Sequence, residues 1–173
     1  MTDAEFSLCV DKYIKMVYRI AFHYFGKHED AEDITQEVFT KLYSSKISRE
    51  NEDELKAWLI RVTSNTCHNM FRNPFTRRRI ELEDYEWEQI PDNSSNEQDY
   101  ITHKTLMDAV MSLPEKYRIL IYLYYYEDCS CSQISSILQI KETTVQTRLS
   151  RAREKMKNML ADSFPERGVL DGL

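Results

Sequence analysis

Residues 130–160 read SCSQISSILQIKETTVQTRLSRAREKMKNML, and this stretch decides the fold. Ser130 and Gln133 have the spacing of a capping box, which predicts that a helix begins there. Apolar residues then recur at helical spacing in two runs, and the spacing breaks between them at 139–142. The pattern predicts two helices joined by a tight connection, which is the helix-turn-helix arrangement.

The second of these helices has an apolar side and a polar side. Val145, Leu149, Ala152 and Met156 form one narrow stripe, and six Lys and Arg against two Glu occupy residues 141–157. Such a helix fits the DNA major groove, where side chains bind base edges and phosphates. The alternative is a solvated helix with ordinary surface charges. The candidate DNA-binding residues are Lys141, Thr144, Gln146, Thr147, Arg148, Ser150, Arg151 and Arg153.

The composition favours an all-α protein that contains packed cores. The chain has 173 residues, of which 42% are hydrophobic, and it contains only 3 Gly and 4 Pro. No apolar run is long enough to cross a bilayer and the start is acidic, so we expect a cytoplasmic protein without membrane insertion. Cys129 and Cys131 lack partners at zinc-site spacing. We therefore predict no metal, no cofactor and no catalytic residues.

The charges are unevenly distributed along the chain. The formal net charge is −6, which is unusual for a protein that binds DNA. Arg72 and residues 77–79 form a basic cluster, whereas residues 81–99 contain eight Asp and Glu and no Lys or Arg. Residues 73–99, with two prolines and this acidic run, are typical of a flexible linker with little packed structure.

The spacing predicts three helices before the linker. The first runs from about Val10 to Phe25 and ends at Gly26, and the second covers about 29–43 with an apolar side and a polar side. After a polar loop at 44–53, the third helix, or a pair of helices, covers about 54–72. The residues expected in the core of the first helix are Val10, Ile14, Val17, Ala21 and Tyr24.

The third helix carries a second, polar face beside its core stripe. Aromatic rings can stack on bases, amides can bond to base edges, and Arg can bind the backbone, so the face suits a nucleic-acid single strand. Part of the Trp58 ring is equally expected in the core. The residues of this face are Trp58, Arg61, Asn65, His68, Asn69 and Arg72.

After the linker, a second helical domain begins near Thr102. Ser112 and Glu115 have capping-box spacing around Pro114, which predicts another helix start. The helix that follows, with Tyr117 and Tyr124 in its core stripe, is expected to support the helix-turn-helix. The sequence thus predicts two small helical domains, an N-terminal helical bundle and a C-terminal helix-turn-helix bundle, joined by an acidic flexible linker.

Two parts of the chain resemble the bacterial RNA polymerase sigma factors of the extracytoplasmic-function (ECF) type. YRIAFHYFGKHEDAEDITQEVFTKLY and LKAWLIRVTSNTCHNMFR resemble their region two, and the segment from LMDAVMSLPEKY to KNML resembles their region four. The resemblance implies region two at 1–75, a linker at 76–101, region four at 102–163 and a tail at 164–173. It also implies a transcription initiation factor that is not an enzyme.

The resemblance assigns partners to the polar faces. It implies that the second helix docks on the clamp helices of the largest subunit of core RNA polymerase, and that region four meets the flap. The third helix and the loop before it would recognise and melt the minus-ten promoter element, and Gln146, Thr147, Ser150 and Arg151 would read the minus-thirty-five element. An anti-sigma factor is implied as well. The residues implied for polymerase binding are Asp30, Asp33, Gln36, Glu37 and Phe39.

Two departures from the family pattern and two other classes of protein bear on this interpretation. The loop before Trp58 lacks a Phe-Arg-Gly type sequence, which leaves the minus-ten base preference open, and Gln139 stands where Gly is usual, which predicts some strain. A stand-alone dimeric helix-turn-helix regulator would need symmetric half-sites and no polymerase. A helical adaptor would bind protein only.

Overall fold

The computed structural model describes residues 2–45, 47, 51–82 and 97–161. Within these residues the chain forms eight α-helices and no strand, which confirms the all-α class. The chain divides into two compact units, Met1–Trp87 and Glu88–Leu173. The predicted tail, residues 83–96 of the predicted linker, and residues 46 and 48–50 of the polar loop lie outside the described residues.

The first unit is a small helical bundle. Its helices are α1 (Asp3–Phe25), α2 (His28–Ser44), α3 (Glu52–Phe71) and α4 (Pro74–Leu82). α1, α2 and α3 pack against one another, and α4 contacts α3. Ile20, Leu42 and Leu59, one from each of the three long helices, are completely buried. Burial of such a side chain stabilises the fold by about 1.5–3 kcal/mol, so this apolar centre holds the bundle together.

The first helix begins earlier than the apolar spacing predicts and buries a wider side, which includes Val17, Ala21 and Tyr24 of the predicted stripe. Thr2 caps it, because its Oγ1 accepts from the Glu5 N–H at 3.3 Å while the Thr2 N–H donates to the Glu5 carboxylate at 2.9 Å. Ile14, which was expected in the core, is 40% exposed, and Tyr13 and Met16 are buried instead. Both α2 and α3 pack on α1, so its buried side is broader than one stripe.

Helices occupy both edges of the predicted linker, at 74–82 and from 97 onward. The prediction of little packed structure is wrong at 74–82, where α4 contacts α3. The Asn73 side-chain oxygen accepts from the Phe75 N–H at 3.0 Å, and Pro74 has the backbone angle that a first helical turn requires. These two residues begin α4. Arg79, from the basic cluster, then pairs with Asp30 of α2 and fixes the helix.

The second unit is built around one almost completely buried helix. Its helices are α5 (Glu97–Met111), α6 (Glu115–Tyr125), α7 (Cys131–Leu138) and α8 (Glu142–Leu160). α8 packs against α5, α6 and α7. Residues 117–123 of α6 are all buried, which confirms its supporting role, although Tyr124 is only half-buried.

The predicted capping box at Ser112 does not form. The Ser112 backbone N–H donates to the Asp108 carbonyl at 3.0 Å, and its hydroxyl donates to the Ala109 carbonyl at 2.7 Å. Ser112 therefore closes the end of α5 rather than opening α6. Pro114 occupies the N-cap position of α6, and its carbonyl accepts from Tyr117 and Arg118.

Candidate nucleic-acid interface

The α7–α8 pair is held by local hydrogen bonds of the predicted kind. The Ser130 hydroxyl accepts from the Gln133 N–H at 3.2 Å, and the Ser130 N–H donates to the Gln133 side chain at 2.8 Å, which confirms the capping box. Gln139 ends α7 in the left-handed region, with φ 55° and ψ 42°. The Ser135 hydroxyl donates to the Ile140 carbonyl at 2.7 Å and closes the turn.

The two sides of α8 separate as predicted. Val145, Leu149 and Ala152 are buried against the unit, whereas Gln146 and Ser150 are exposed. Thr147, Arg151 and Lys141 are exposed as well, and Thr144 and Arg148 are half-buried. The helix therefore presents one continuous polar surface while the opposite surface anchors it.

Internal hydrogen bonds decide what this surface offers a base edge. The Thr147 hydroxyl donates to the Thr143 carbonyl at 2.7 Å, which leaves its oxygen as an acceptor and its methyl group outward. The Gln146 amide nitrogen lies 3.4 Å from a Glu142 carboxylate oxygen, at the long end of hydrogen bonding. Gln146 can exchange that weak contact for a base at little cost.

Arg153 differs from the other predicted DNA-binding residues of α8. Its Nε donates to the Tyr125 hydroxyl at 2.8 Å, and its guanidinium lies 5.2 Å and 5.7 Å from the ring centroids of Tyr124 and Tyr125. Burial is the largest single influence and lowers the pKa of Arg153, but the hydrogen bonds and charge interactions with Tyr125 and Tyr124 together outweigh it and raise this pKa above its usual value. In this structure Arg153 joins α8 to α6.

The polar face predicted on α3 lies at the surface. Asn65, His68, Asn69 and Arg72 are exposed and follow one another at helical spacing. Trp58 and Arg61, nearer the start of the helix, are half-buried. The other side of α3 holds the buried Leu55, Leu59, Thr63 and Cys67. The structure thus brings all six predicted residues to one helix with its core side turned inward.

The predicted polymerase-binding residues of α2 fall into two groups. Asp33, Gln36 and Glu37 are exposed, and the Glu37 carboxylate pairs with Lys41 at 2.6 Å. A groove of about 360 Å³ between α1 and α2 is lined by Gln36 and the exposed Ile14, among others. The three exposed residues of the predicted set form an accessible polar surface beside an apolar groove.

Asp30 and Phe39 are buried. The Asp30 carboxylate accepts two hydrogen bonds from the Arg79 guanidinium, at 2.8 and 2.9 Å. The Phe39 ring is 6% exposed and packs edge-to-face on Phe6, with centroids 6.4 Å apart. Sequence reasoning did not anticipate Arg79, because its partner lies 49 residues away and no local pattern marks the pair.

None of the helices in the described residues is long and apolar enough to span a membrane. No group of three or more His, Cys, Asp or Glu in those residues could hold a metal ion. Cys67 is completely buried, and burial raises the pKa of its thiol, so it stays protonated.

Comparison with known proteins assigns both units. Residues 9–78 match the family described as sigma-70 region 2, and residues 103–156 match sigma-70, region 4. The RNA polymerase sigma factor SigV of Bacillus subtilis (strain 168) is 30% identical over 159 residues, which are 92% of this chain and 93% of that protein. The ECF RNA polymerase sigma factor SigW of the same strain is 29% identical over 167 residues, covering 91% and 89%.

A solved structure shares the fold. The sigma factor RpoE from Bartonella quintana, in complex with the anti-sigma factor NepR, matches with a TM-score of 0.68 and 20% identity, covering 90% of this chain and 96% of that chain. The two sigma-70 regions stand in tandem order in this chain, and a relative of nearly equal extent is an RNA polymerase sigma factor. This chain therefore belongs to the extracytoplasmic-function (ECF) family of RNA polymerase sigma factors.

Proposed function

We propose that this sigma factor binds core RNA polymerase through the exposed face of α2 and reads two promoter elements through α3 and α8. The observation that carries the proposal is the presence, in one chain, of a region-two unit with an exposed acid-amide surface and a region-four unit with an exposed basic helix. Like its family, the chain initiates transcription and leaves the chemistry of RNA synthesis to the polymerase.

Polymerase docking is assigned to Asp33, Gln36 and Glu37, whose side chains are accessible. The largest-subunit clamp helices are the proposed partner. The neighbouring groove and the exposed Ile14 add apolar surface that a protein partner can bury, and burial of apolar surface favours association. Asp30 and Phe39 support this surface from beneath, because both are buried in the unit. The flap is proposed to bind the region-four unit.

Melting of the minus-ten element is assigned to the exposed face of α3. Asn65 and Asn69 offer amides to base edges, Trp58 offers part of a ring for stacking, and Arg61 and Arg72 offer charge to the backbone. His68 lies among them and is exposed. The face is proposed to hold one strand open after the polymerase has positioned it.

Reading of the minus-thirty-five element is assigned to α8. Gln146, Thr147, Ser150 and Arg151 lie on its accessible side, and Arg in particular can bind guanine through two hydrogen bonds. Lys141, Thr144 and Arg148 flank them and are proposed to contact phosphates. The net charge of −6 supports weak DNA binding by the free chain, with specificity arising in the holoenzyme.

An anti-sigma factor is the proposed regulatory partner, since the sigma factor RpoE, whose fold this chain shares, is in complex with the anti-sigma factor NepR. The proposed location is the cytoplasm, at the nucleoid in holoenzyme or at the membrane when an anti-sigma factor holds the chain there. The stand-alone dimeric regulator is not favoured, because the relatives matched over most of this chain are RNA polymerase sigma factors.

The test is run-off transcription with core polymerase from the source bacterium on a pool of its genomic promoters. We expect defined transcripts only when the chain is added. Asp33→Ala combined with Gln36→Ala should abolish them, because both side chains belong to the accessible docking surface. Asp11→Ala is the matched control, since Asp11 is an exposed carboxylate on α1 outside the assigned set.

Two results would contradict the proposal. If core polymerase is neither bound nor redirected while a duplex operator is bound tightly, the chain acts as a stand-alone regulator. If the double variant folds as the wild type and still gives full transcription, the docking surface is assigned to the wrong residues.

A further inference from the structure

A groove of about 380 Å³ lies between the beginning of α6 and the first turns of α8. Lys116, the second residue of α6, forms part of its wall and is exposed. Arg148 and Arg151 line it from α8. The groove therefore joins the proposed base-reading helix to a residue that lies outside the helix-turn-helix and that the sequence pattern did not single out.

The lining of this groove is suited to an anion. Three cationic side chains line it, together with hydroxyl groups such as those of Thr143 and Thr144, and no Asp or Glu is among the described residues that line it. Arg148 and Thr144 are half-buried. Solvent therefore screens the charge of Arg148 less than it screens a fully exposed charge. The groove mainly offers hydrogen-bond donors and positive charge.

A base edge presents donors and acceptors together, whereas a phosphate presents acceptors alone. A wall of ammonium, guanidinium and hydroxyl groups therefore matches a phosphate better than a base. The Lys116 ammonium lies 5.2 Å from the centroid of the Tyr117 ring, and this buried ring also lines the groove. The contact between cation and ring favours an ammonium position close to the groove.

We infer that this groove binds a backbone phosphate beside the minus-thirty-five bases, and that Lys116 is one of its ligands. The inference rests on the proposed function, because it needs α8 to lie on promoter DNA. Lys116 then fixes the register of the recognition helix on the duplex without reading sequence. Its charge contributes to affinity equally for every minus-thirty-five sequence.

The experiment measures promoter binding by holoenzyme that contains the full chain, with Lys116→Gln compared with wild type. Neutralising one phosphate contact should reduce affinity by about 3–10-fold at low salt and lower the slope of log K against log salt by about 1. Relative preferences among minus-thirty-five sequences should not change. Lys104→Gln removes the same charge from the same unit, outside the groove, and should leave the slope at the wild-type value.

A second arm locates the phosphate. Promoter duplexes carry one uncharged methylphosphonate at each backbone position of the minus-thirty-five region in turn. We expect one position at which the substitution weakens binding by Lys116→Gln clearly less than it weakens binding by the wild type, because the variant has already lost one of the ligands of that phosphate. Thermal unfolding of Lys116→Gln should match the wild type, since the side chain is exposed.

Three outcomes overturn the inference. The first is an unchanged salt slope, and the second is a variant that stays as sensitive as the wild type at every methylphosphonate position. The third is a change in base preference, which would make Lys116 a base-reading residue. Failure of the proposed function looks different, because wild-type holoenzyme would then show no dependence on the minus-thirty-five element at all.

Discussion

The proposed contact residues lie partly on α8 of the second unit and partly on α2 of the first, and these two helices are organised differently. Along α8 the exposed Gln146 and Ser150 alternate at helical spacing with the buried Val145 and Leu149, so contact and support lie on opposite sides. Along α2 the five residues assigned by resemblance include exposed and buried positions. Asp30 and Phe39 are enclosed within the unit.

The difference shows that a match to a family motif does not by itself distinguish a contact residue from a residue that supports the contact surface. A residue of α2 can be necessary for polymerase binding because it touches polymerase or because it holds in place the residues that do. Exposure separates the two cases, and on α2 it divides the assigned set between Asp33, Gln36 and Glu37 on one side and Asp30 and Phe39 on the other. Stability measurements can test this division directly.

The largest effect is expected from Phe39→Ala. Removing a buried ring that packs on Phe6 should lower the free energy of unfolding by about 3–4 kcal/mol. Gln36→Ala, on the exposed side of the same helix, should change it by less than about 0.5 kcal/mol. Urea unfolding followed by Trp fluorescence measures the first unit, since Trp58 is half-buried in α3.

The opposite result would contradict the division of the α2 residues into contact residues and supporting residues. If Phe39→Ala unfolds like the wild type yet loses polymerase binding, Phe39 is a contact residue and its burial in the free chain does not persist in the complex.

A smaller and asymmetric effect is expected at the pair between Asp30 and Arg79. The Asp30 side chain is 7% exposed and that of Arg79 is 39% exposed. Arg79→Ala strands a carboxylate inside the unit and should cost about 2 kcal/mol, whereas Asp30→Ala leaves a guanidinium that can turn to water and should cost about 1 kcal/mol. The same unfolding measurement applies, and the double variant completes the cycle.

Equal and negligible costs for the two single variants would show that the pair does not hold α4 on α2. A coupling energy near zero in the cycle would have the same meaning. In either case Asp30 would return to the set of candidate contact residues.

The sequence predicted those features whose causes are local. The Ser130–Gln133 capping box and the two sides of α8 each follow from residues within a few positions of one another, and the structure has both. The Thr2–Glu5 capping box has the same local spacing, but apolar spacing alone predicts a start of α1 that is too late.

Features that depend on tertiary contacts were out of reach. Asp30 has its partner 49 residues away, and Arg153 has its partner Tyr125 28 residues away. A helical pattern places a charged residue at the surface by default, because an unpaired charge is costly to bury. Only the fold reveals the partner that makes burial possible, which is why the predicted polymerase and DNA sets contain supporting residues.

The smallest effect on stability is expected at Arg153, and it tests whether this residue of α8 supports the helix or contacts DNA. If Arg153 joins α8 to α6 through Tyr124 and Tyr125, Arg153→Ala should lower the stability of the second unit by about 1 kcal/mol. Arg153→Lys keeps the charge but lacks the planar group that lies over the rings, so it should restore only part of the loss. Near-ultraviolet circular dichroism of the tyrosines follows the unfolding.

The salt dependence of DNA binding distinguishes Arg153 from Lys116. A residue that supports the helix changes affinity without changing the number of phosphates neutralised, so neither Arg153 variant should alter the slope of log K against log salt in holoenzyme. If Arg153→Ala instead lowers the slope by about 1, Arg153→Lys restores it and stability is unaffected, Arg153 is a phosphate ligand. The separation of contact and support along α8 would then fail at Arg153, where charge and burial compete.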